Sequence, residues 1–203
     1  MSRLRGPKGC PWDREQTHQT LRYHAVEEAY ELMDAIESRD DHELVEELGD
    51  LLLQVVFHCQ LGRERGAFDF ERVACGIAQK LVRRHPHVFG SVRVKDVDEV
   101  WANWERIKGE EKRGTRRARP SALDGIPRHL PALLRAETLV KKARKSGLLG
   151  SDARRRRKSV VVGEIFALCA EAQADGWSAE AALRAETDRR ESRLRRIEQG
   201  RAK

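Results

Sequence analysis

Apolar residues in the first sixty positions recur at helical spacing. Leu21, Ala25, Ala29, Leu32 or Met33, and Ile36 lie three or four apart, which predicts one amphipathic helix over about 17–38. After the polar turn SRDDH, a second helix is predicted over about 42–62, with Leu44, Leu48, Leu51, Val55 and Cys59 on one face. Inside it, LLLQVVF (51–57) is apolar nearly all the way round. Such a helix must be covered on more than one side, and a chain of 203 residues offers few covers. The pattern therefore predicts a helical bundle completed by a second copy, most simply in a two-fold dimer. GAFDFERVACGIAQKLVRRHP predicts a third helix, capped by Asp69 and stopped before Pro86. DVDEVWANWERIKGEEK predicts a fourth, with Asp96 and Glu99 at capping-box spacing. Residues 113–130, interrupted by glycine and proline, read as a linker. Helical patterns follow at about 131–147, 156–175 and 179–199, the last with Ser178 as its cap. With no strand-like alternation anywhere, the expected fold is all-α.

Composition agrees, with 36% charged and only 5% aromatic residues favouring helices over a β-sandwich. Four scattered cysteines with no CxxC pair point to reduced thiols rather than disulfides or zinc. No stretch approaches the ~18 apolar residues of a membrane span, and the start carries no apolar signal core. A soluble, cytoplasmic protein without membrane partners is expected.

Charge changes the picture most. Residues 26–50, VEEAYELMDAIESRDDHELVEELGD, hold eleven carboxylates and one arginine, in a chain whose net charge is +7. On a helix, Glu28 and Glu31 project to one side with Glu27 close by, and Glu47 and Asp50 repeat the i, i+3 spacing on the next helix. The short turn makes the two helices an antiparallel hairpin, which can bring the pairs face to face. Converging carboxylates repel, and hard divalent cations such as magnesium, or manganese, relieve the repulsion. Asp34, Glu37, Asp40, Asp41 and Glu43 read as solvated surface charge. Glu47 and Asp50 lead directly into the apolar run and so belong at the edge of the buried bundle. Spacing alone leaves a metal site and a solvated acidic face both open.

A faint internal repeat aligns ELGDLLLQVVFHCQ (47–60) with VVGEIFALCAEAQA (161–174), setting Val161 against Glu47 and Glu164 against Asp50. Nothing in the second half matches EEAYE.

EEAYE followed by EELGD resembles the ExxE…ExxD signature of the all-α nucleoside triphosphate pyrophosphohydrolases. GCPWDREQTHQTL, GDLLLQVVFH, FDF, KLVRRHPHVFG and WERIKGEE are similar to the MazG proteins in particular, over residues 9–112 and on through LPALLRA. The resemblance implies magnesium-dependent hydrolysis of a nucleoside triphosphate to the monophosphate and diphosphate. It also implies two tandem units, so residues 131–203 read as a shortened, degenerate second copy that lacks the first acidic helix, keeps only Glu164 of the second pair and is not expected to bind metal. Glu28, Glu31, Glu47 and Asp50 would hold the metal, and Glu27 would orient or deprotonate the attacking water. Lys80, Arg83, Arg84 and Lys108 would meet the phosphates, and Trp104 the nucleotide.

Glu15-x-x-His18 has the spacing of a di-iron motif but occurs once, where such bundles need two. RRRRK (154–158) reads as a solvated helix start. A basic all-α nucleic-acid-binding or regulatory protein is the alternative class, and clustered carboxylates argue against it. Nucleic acid is not an expected partner.

Overall fold

The computed structural model describes residues 1–111, 113–115, 121–150 and 156–201. These contain helices and turns and no strand, so the all-α expectation is met. The helices are α1 (Pro11–Glu15), α2 (His24–Ser38), α3 (Asp41–Glu64), α4 (Phe70–Arg84), α5 (Pro86–Phe89), α6 (Val97–Glu110), α7 (Ala132–Lys145), α8 (Lys158–Ala174) and α9 (Ala179–Arg201). The chain divides into two compact units, Met1–Lys108 and Gly109–Lys203.

In the first unit, α2 and α3 form a tight hairpin whose two connecting residues are Arg39 and Asp40. Arg39 takes the left-handed conformation (φ 60°) that ends α2. The Asp40 side chain then accepts from the His42 N–H at 2.8 Å and starts α3. Asp69 caps α4 in the same way through the Arg72 N–H at 2.9 Å. At α6 the box is displaced by one residue: Asp96 accepts from the Glu99 N–H, and the Glu99 carboxylate reaches back to the Lys95 N–H, both at 2.9 Å.

Helix α2 begins later than its periodicity predicts. Thr17 and Thr20 bind each other's backbone, Thr17 N–H to Thr20 Oγ1 at 2.8 Å and Thr20 N–H to Thr17 Oγ1 at 3.2 Å. Threonine hydroxyls offer the chain a turn in competition with the helix ladder, and the turn holds residues 17–20. The short α1 and α5, absent from the periodic reading, each begin at a proline.

The N-terminal segment is pinned to the far end of α3. Arg5 Nε and Nη2 donate to the two carboxylate oxygens of Glu64, each at 2.7 Å, and the guanidinium lies 5.6 Å from the centroid of the Phe57 ring. Beneath it Leu21, Phe57 and Leu61 form the buried cluster, with Met1 packed against them. The LLLQVVF run behaves only partly as predicted. Gln54 and Phe57 are buried within the chain, while Leu52 (54% exposed), Leu53 (42%) and Val55 (39%) are not.

In the second unit, α7 and α9 enclose Leu123, Leu139, Ala143, Leu148 and Leu194. Residues 121–130, assigned by sequence to the linker, are part of this unit. Leu123 is fully buried, and the Glu198 carboxylate accepts from the Ser121 hydroxyl and, at 2.8 Å, from the Ala122 N–H. Composition marked Gly125 as a turn residue, where it takes a positive φ of 84°, but could not show that Leu123 beside it enters a core. Residues 116–120 of that linker, Lys112 at the end of the first expected domain, and Arg154–Arg155 of RRRRK lie outside the described residues. Helix α8 is apolar and mostly exposed within the chain, with Phe166 77% and Leu168 60% exposed and Ala172 buried. Ser178 caps α9 through the Ala181 N–H at 3.1 Å.

The Arg5–Glu64 pair holds the Glu64 carboxyl below the usual range, chiefly through the Arg5 hydrogen bond. A folded value below the unfolded one gives stability that is present at neutral pH and is lost as pH falls through the folded value. Arg5→Ala should therefore cost about 1–2 kcal/mol at pH 7, discounted for the partial exposure of Glu64. In urea titrations the deficit should shrink as the pH falls through the lowered Glu64 value, and Glu64→Ala should add little on top of Arg5→Ala. Fully additive losses would show that the pair is not the pin.

Candidate metal centre

The α2–α3 hairpin sets the acidic residues of both helices against each other. One oxygen each from Glu28, Glu47 and Asp50 lie within 4.8 Å of one another, and all three residues are half-buried. Glu28 comes from α2, while Glu47 and Asp50 are one turn apart on α3. Among the described residues this is the one group of three or more side chains suited to hold a cation.

The electrostatics are those of an uncompensated cluster. Burial pushes the Glu28 carboxyl up, the Asp50 and Glu31 charges push the same way, and a hydrogen bond from Gln54 opposes them. Burial also raises Glu47, helped by the charges of Glu31, Asp50, Glu46 and Glu28. Glu31 thus borders the centre as a charge acting on two of its members, although it is exposed and outside the close triad. Glu27 is exposed on the neighbouring face, its carboxylate 3.3 Å from His24 Nδ1.

Gln54 is the residue that sequence reasoning passed over. It is 7% exposed, and its Nε2 donates to Glu28 Oε1 at 3.1 Å. It stands one helical turn beyond Asp50, so α3 presents Glu47, Asp50 and Gln54 as one stripe. The available signal was an amide inside an otherwise apolar run. An outer hydrogen bond of this type fixes the orientation of a ligand carboxylate.

Two buried oxygens of the stripe, Glu47 Oε2 and Gln54 Oε1, have no hydrogen-bond partner. An orphaned carboxylate oxygen amid further carboxylates asks for a proton or a cation. An all-oxygen donor set with no nearby thiol or imidazole among its three members suits a hard ion. The residues present therefore fit magnesium or manganese.

Of the basic and aromatic candidates, Arg84, Trp104 and Lys108 come together. Arg84, from the last turn of α4, lies over the Trp104 ring at 5.0 Å from its centroid, and Lys108 Nζ lies 4.5 Å from the same centroid. Lys108 also pairs with Glu105 at 3.2 Å, and Trp101 packs edge-on to Trp104 with centroids 5.8 Å apart. Lys80 stands one turn before Arg84, and Arg83 is its exposed neighbour. His18, of the lone Glu15-x-x-His18 motif, is engaged elsewhere: its Nδ1 is 2.7 Å from His58 Nδ1.

A family model for the MazG nucleotide pyrophosphohydrolase domain matches residues 16–89, the span that carries both acidic helices. The chain is 50% identical over 148 residues to a nucleoside triphosphate pyrophosphohydrolase of Escherichia coli, covering 72% of this chain and 56% of that protein. It is 52% identical over 138 residues to the uncharacterized protein YabN of Bacillus subtilis, covering 68% of this chain and 28% of that one. It is 42% identical over 188 residues to an uncharacterized 26.1 kDa protein of Streptomyces cacaoi, covering 91% of this chain and 74% of that protein. The chain thus spans only part of the first two relatives, and nearly three quarters of the third. Taken with the paired carboxylates on an all-α hairpin, these matches show that the chain belongs to the MazG nucleotide pyrophosphohydrolase family.

Proposed function

We propose that the first unit hydrolyses a nucleoside triphosphate to the nucleoside monophosphate and diphosphate, with magnesium held by Glu28, Glu31, Glu47 and Asp50. Manganese suits the same oxygens. The observation that carries this reading is the convergence of Glu28, Glu47 and Asp50 within 4.8 Å, beside a buried Glu47 oxygen with no partner. Bound there, the metal supplies charge neutralisation for phosphate oxygens and a lowered pKa for a coordinated water. Gln54 keeps the Glu28 carboxylate aimed into the cluster. Glu27, outside the close triad, is assigned to accept the proton of the attacking water. Lys80, Arg83, Arg84 and Lys108 offset charge on the phosphate chain, and Trp104, already under two cations, is assigned to the nucleotide.

The exposed leucines and valine of α3 support the further proposal that a second copy completes the bundle. Residues 131–203 are proposed to be a shortened second unit without metal. In it Glu164, aligned with Asp50, is held by Arg156, and Val161 replaces Glu47. Among the described residues no helix is long and apolar enough to cross a membrane. That is compatible with cytoplasmic work on the nucleotide pool, which we propose as its setting.

Magnesium should raise the melting temperature of the full chain by mass action. The folded Glu28 and Glu47 values stand above the unfolded ones. Without metal, then, the unfolded chain ionises first, and stability falls as pH climbs through the raised values. Because the ion binds the ionised carboxylates, its stabilising effect should grow over the same window. Glu47→Gln should abolish the shift and most turnover with helix content intact. Gln54→Leu should weaken magnesium about tenfold or more. A magnesium shift that survives Glu47→Gln unchanged would remove that residue from the centre.

The bond broken can be read directly. The chain carries no Gly-rich GKS/T loop to cradle a transferred γ-phosphate. Hydrolysis in oxygen-18 water should place the label in the nucleoside monophosphate and leave diphosphate unlabelled. Diphosphate nucleoside plus orthophosphate as first products would overturn the assignment.

A further inference from the structure

The second unit holds a concentration of charge that the first unit's chemistry does not use. The turn at 125–129, α7 and α9 surround a cavity of about 750 Å³, within the ~300–1,000 Å³ typical of small-molecule sites. Its wall sets Arg128, Arg135, Arg184 and Arg195 against Asp188 and Glu191. Behind the wall, Glu180 pairs with Arg184 and Asp124 with Arg195, so Arg128 is the wall's one arginine without an ion pair among the described residues.

Most of these groups are tied to the fold. Arg135 spans the interface of α7 and α9, with Nη1 2.7 Å from Asp188 and Nη2 2.9 Å from Glu191. Arg195 holds Asp124 and Glu191, each at 2.7 Å. Arg184 donates to the Arg128 and Leu130 carbonyls, which fixes the turn against α9. These contacts neutralise both carboxylates of the wall from within the protein.

Two donors are left over. Arg135 is 4% exposed, yet its Nε has no acceptor. A buried N–H without a partner is costly, and the cavity it lines is where an acceptor can arrive. Arg128 stands exposed at the same cavity, and among the described residues its side chain makes no hydrogen bond or ion pair. His129 adds a further ring nitrogen beside it. A permanently charged guanidinium at the rim and a buried guanidinium N–H on the wall form a donor set for phosphate oxygens. The space is too large for one phosphate group and suits a ligand of nucleotide size.

We propose that this cavity binds a small phosphate-bearing anion without metal, its phosphate oxygens accepting from Arg135 Nε and Arg128. The site is separate in chemistry from the acidic centre, which needs a cation before it can accept phosphate. The same phosphate chemistry has two sources, a nucleoside monophosphate and inorganic diphosphate.

The test is isothermal titration of the full chain with each of these anions in the presence of EDTA, which silences a metal-dependent site. Saturable one-to-one binding is expected, tighter than for sulfate at equal ionic strength. Arg128→Ala should weaken it tenfold or more while leaving the melting temperature of the unliganded chain unchanged, and Lys80→Ala should leave it intact. In carbon–proton NMR spectra of the imidazoles, the His129 signal should move on titration. Preference for the monophosphate marks a nucleotide site and preference for diphosphate a site for the inorganic anion, and either supports the proposal. Absence of saturable binding, affinity no better than for sulfate, equal affinity in Arg128→Ala, or loss in Lys80→Ala instead would each overturn it.

Discussion

Mutual repulsion among half-buried carboxylates is the constraint around which the first unit is built. A helix hairpin would ordinarily relieve it by rotating one acidic face to solvent. Here that escape is closed, because the same turns of α3 carry Gln54 and Phe57 into the interior. Rotating Glu47 and Asp50 outward would expose the Phe57 side chain and break the Gln54–Glu28 hydrogen bond. The apolar packing thus holds charges together that their own electrostatics would separate. Stored unfavourable energy of this kind persists where the surroundings over-determine the geometry, which is the usual state of a site prepared for a ligand.

The same helix explains why one chain looks unfinished. Helix α3 uses one side both for the carboxylate stripe and, farther along the same face, for the Phe57 and Leu61 that pack with Leu21. Leu52, Leu53 and Val55 project from what remains, and single-chain packing leaves them exposed. Polar substitutions there would make α3 a simple amphipathic helix. Its all-round apolar sequence instead leaves one side holding the acids in place and another apolar and exposed within the chain.

Legibility from sequence followed the range of the forces involved. Helix identity and capping are local, so Asp69, Asp96 and Ser178 cap their helices where short spacing rules put them. Carboxylate spacing is nearly local too, since a two-residue connection fixes how α2 meets α3, and Glu28, Glu47 and Asp50 were legible together. Periodicity sets Glu31 with them, and its carboxyl does meet that of Glu28, but its greater exposure depends on how the hairpin is rotated. Local competition misled at Thr17 and Thr20, where hydroxyl-bonded turns displaced a helix whose apolar period was sound. What depended on distant packing was not legible: Leu123 in the core of the second unit, 71 residues before its neighbour Leu194, and Gln54 facing Glu28 across the hairpin.

The contrast between the two units turns on what each does with its charge. In the first, carboxylates outnumber nearby cations and one oxygen is left without a partner. In the second, both acidic groups of the cavity wall are already matched, Asp188 by Arg135 and Glu191 by Arg135 and Arg195; away from the cavity, Glu164 is held by Arg156. A carboxylate locked to a guanidinium has lost both the free lone pairs and the local negative potential that attract a cation. The groups left over there are donors, Arg135 Nε and Arg128, rather than acceptors. Two helical units in one chain can thus attract ligands of opposite charge, and the deciding variable is which partner each buried charge was given.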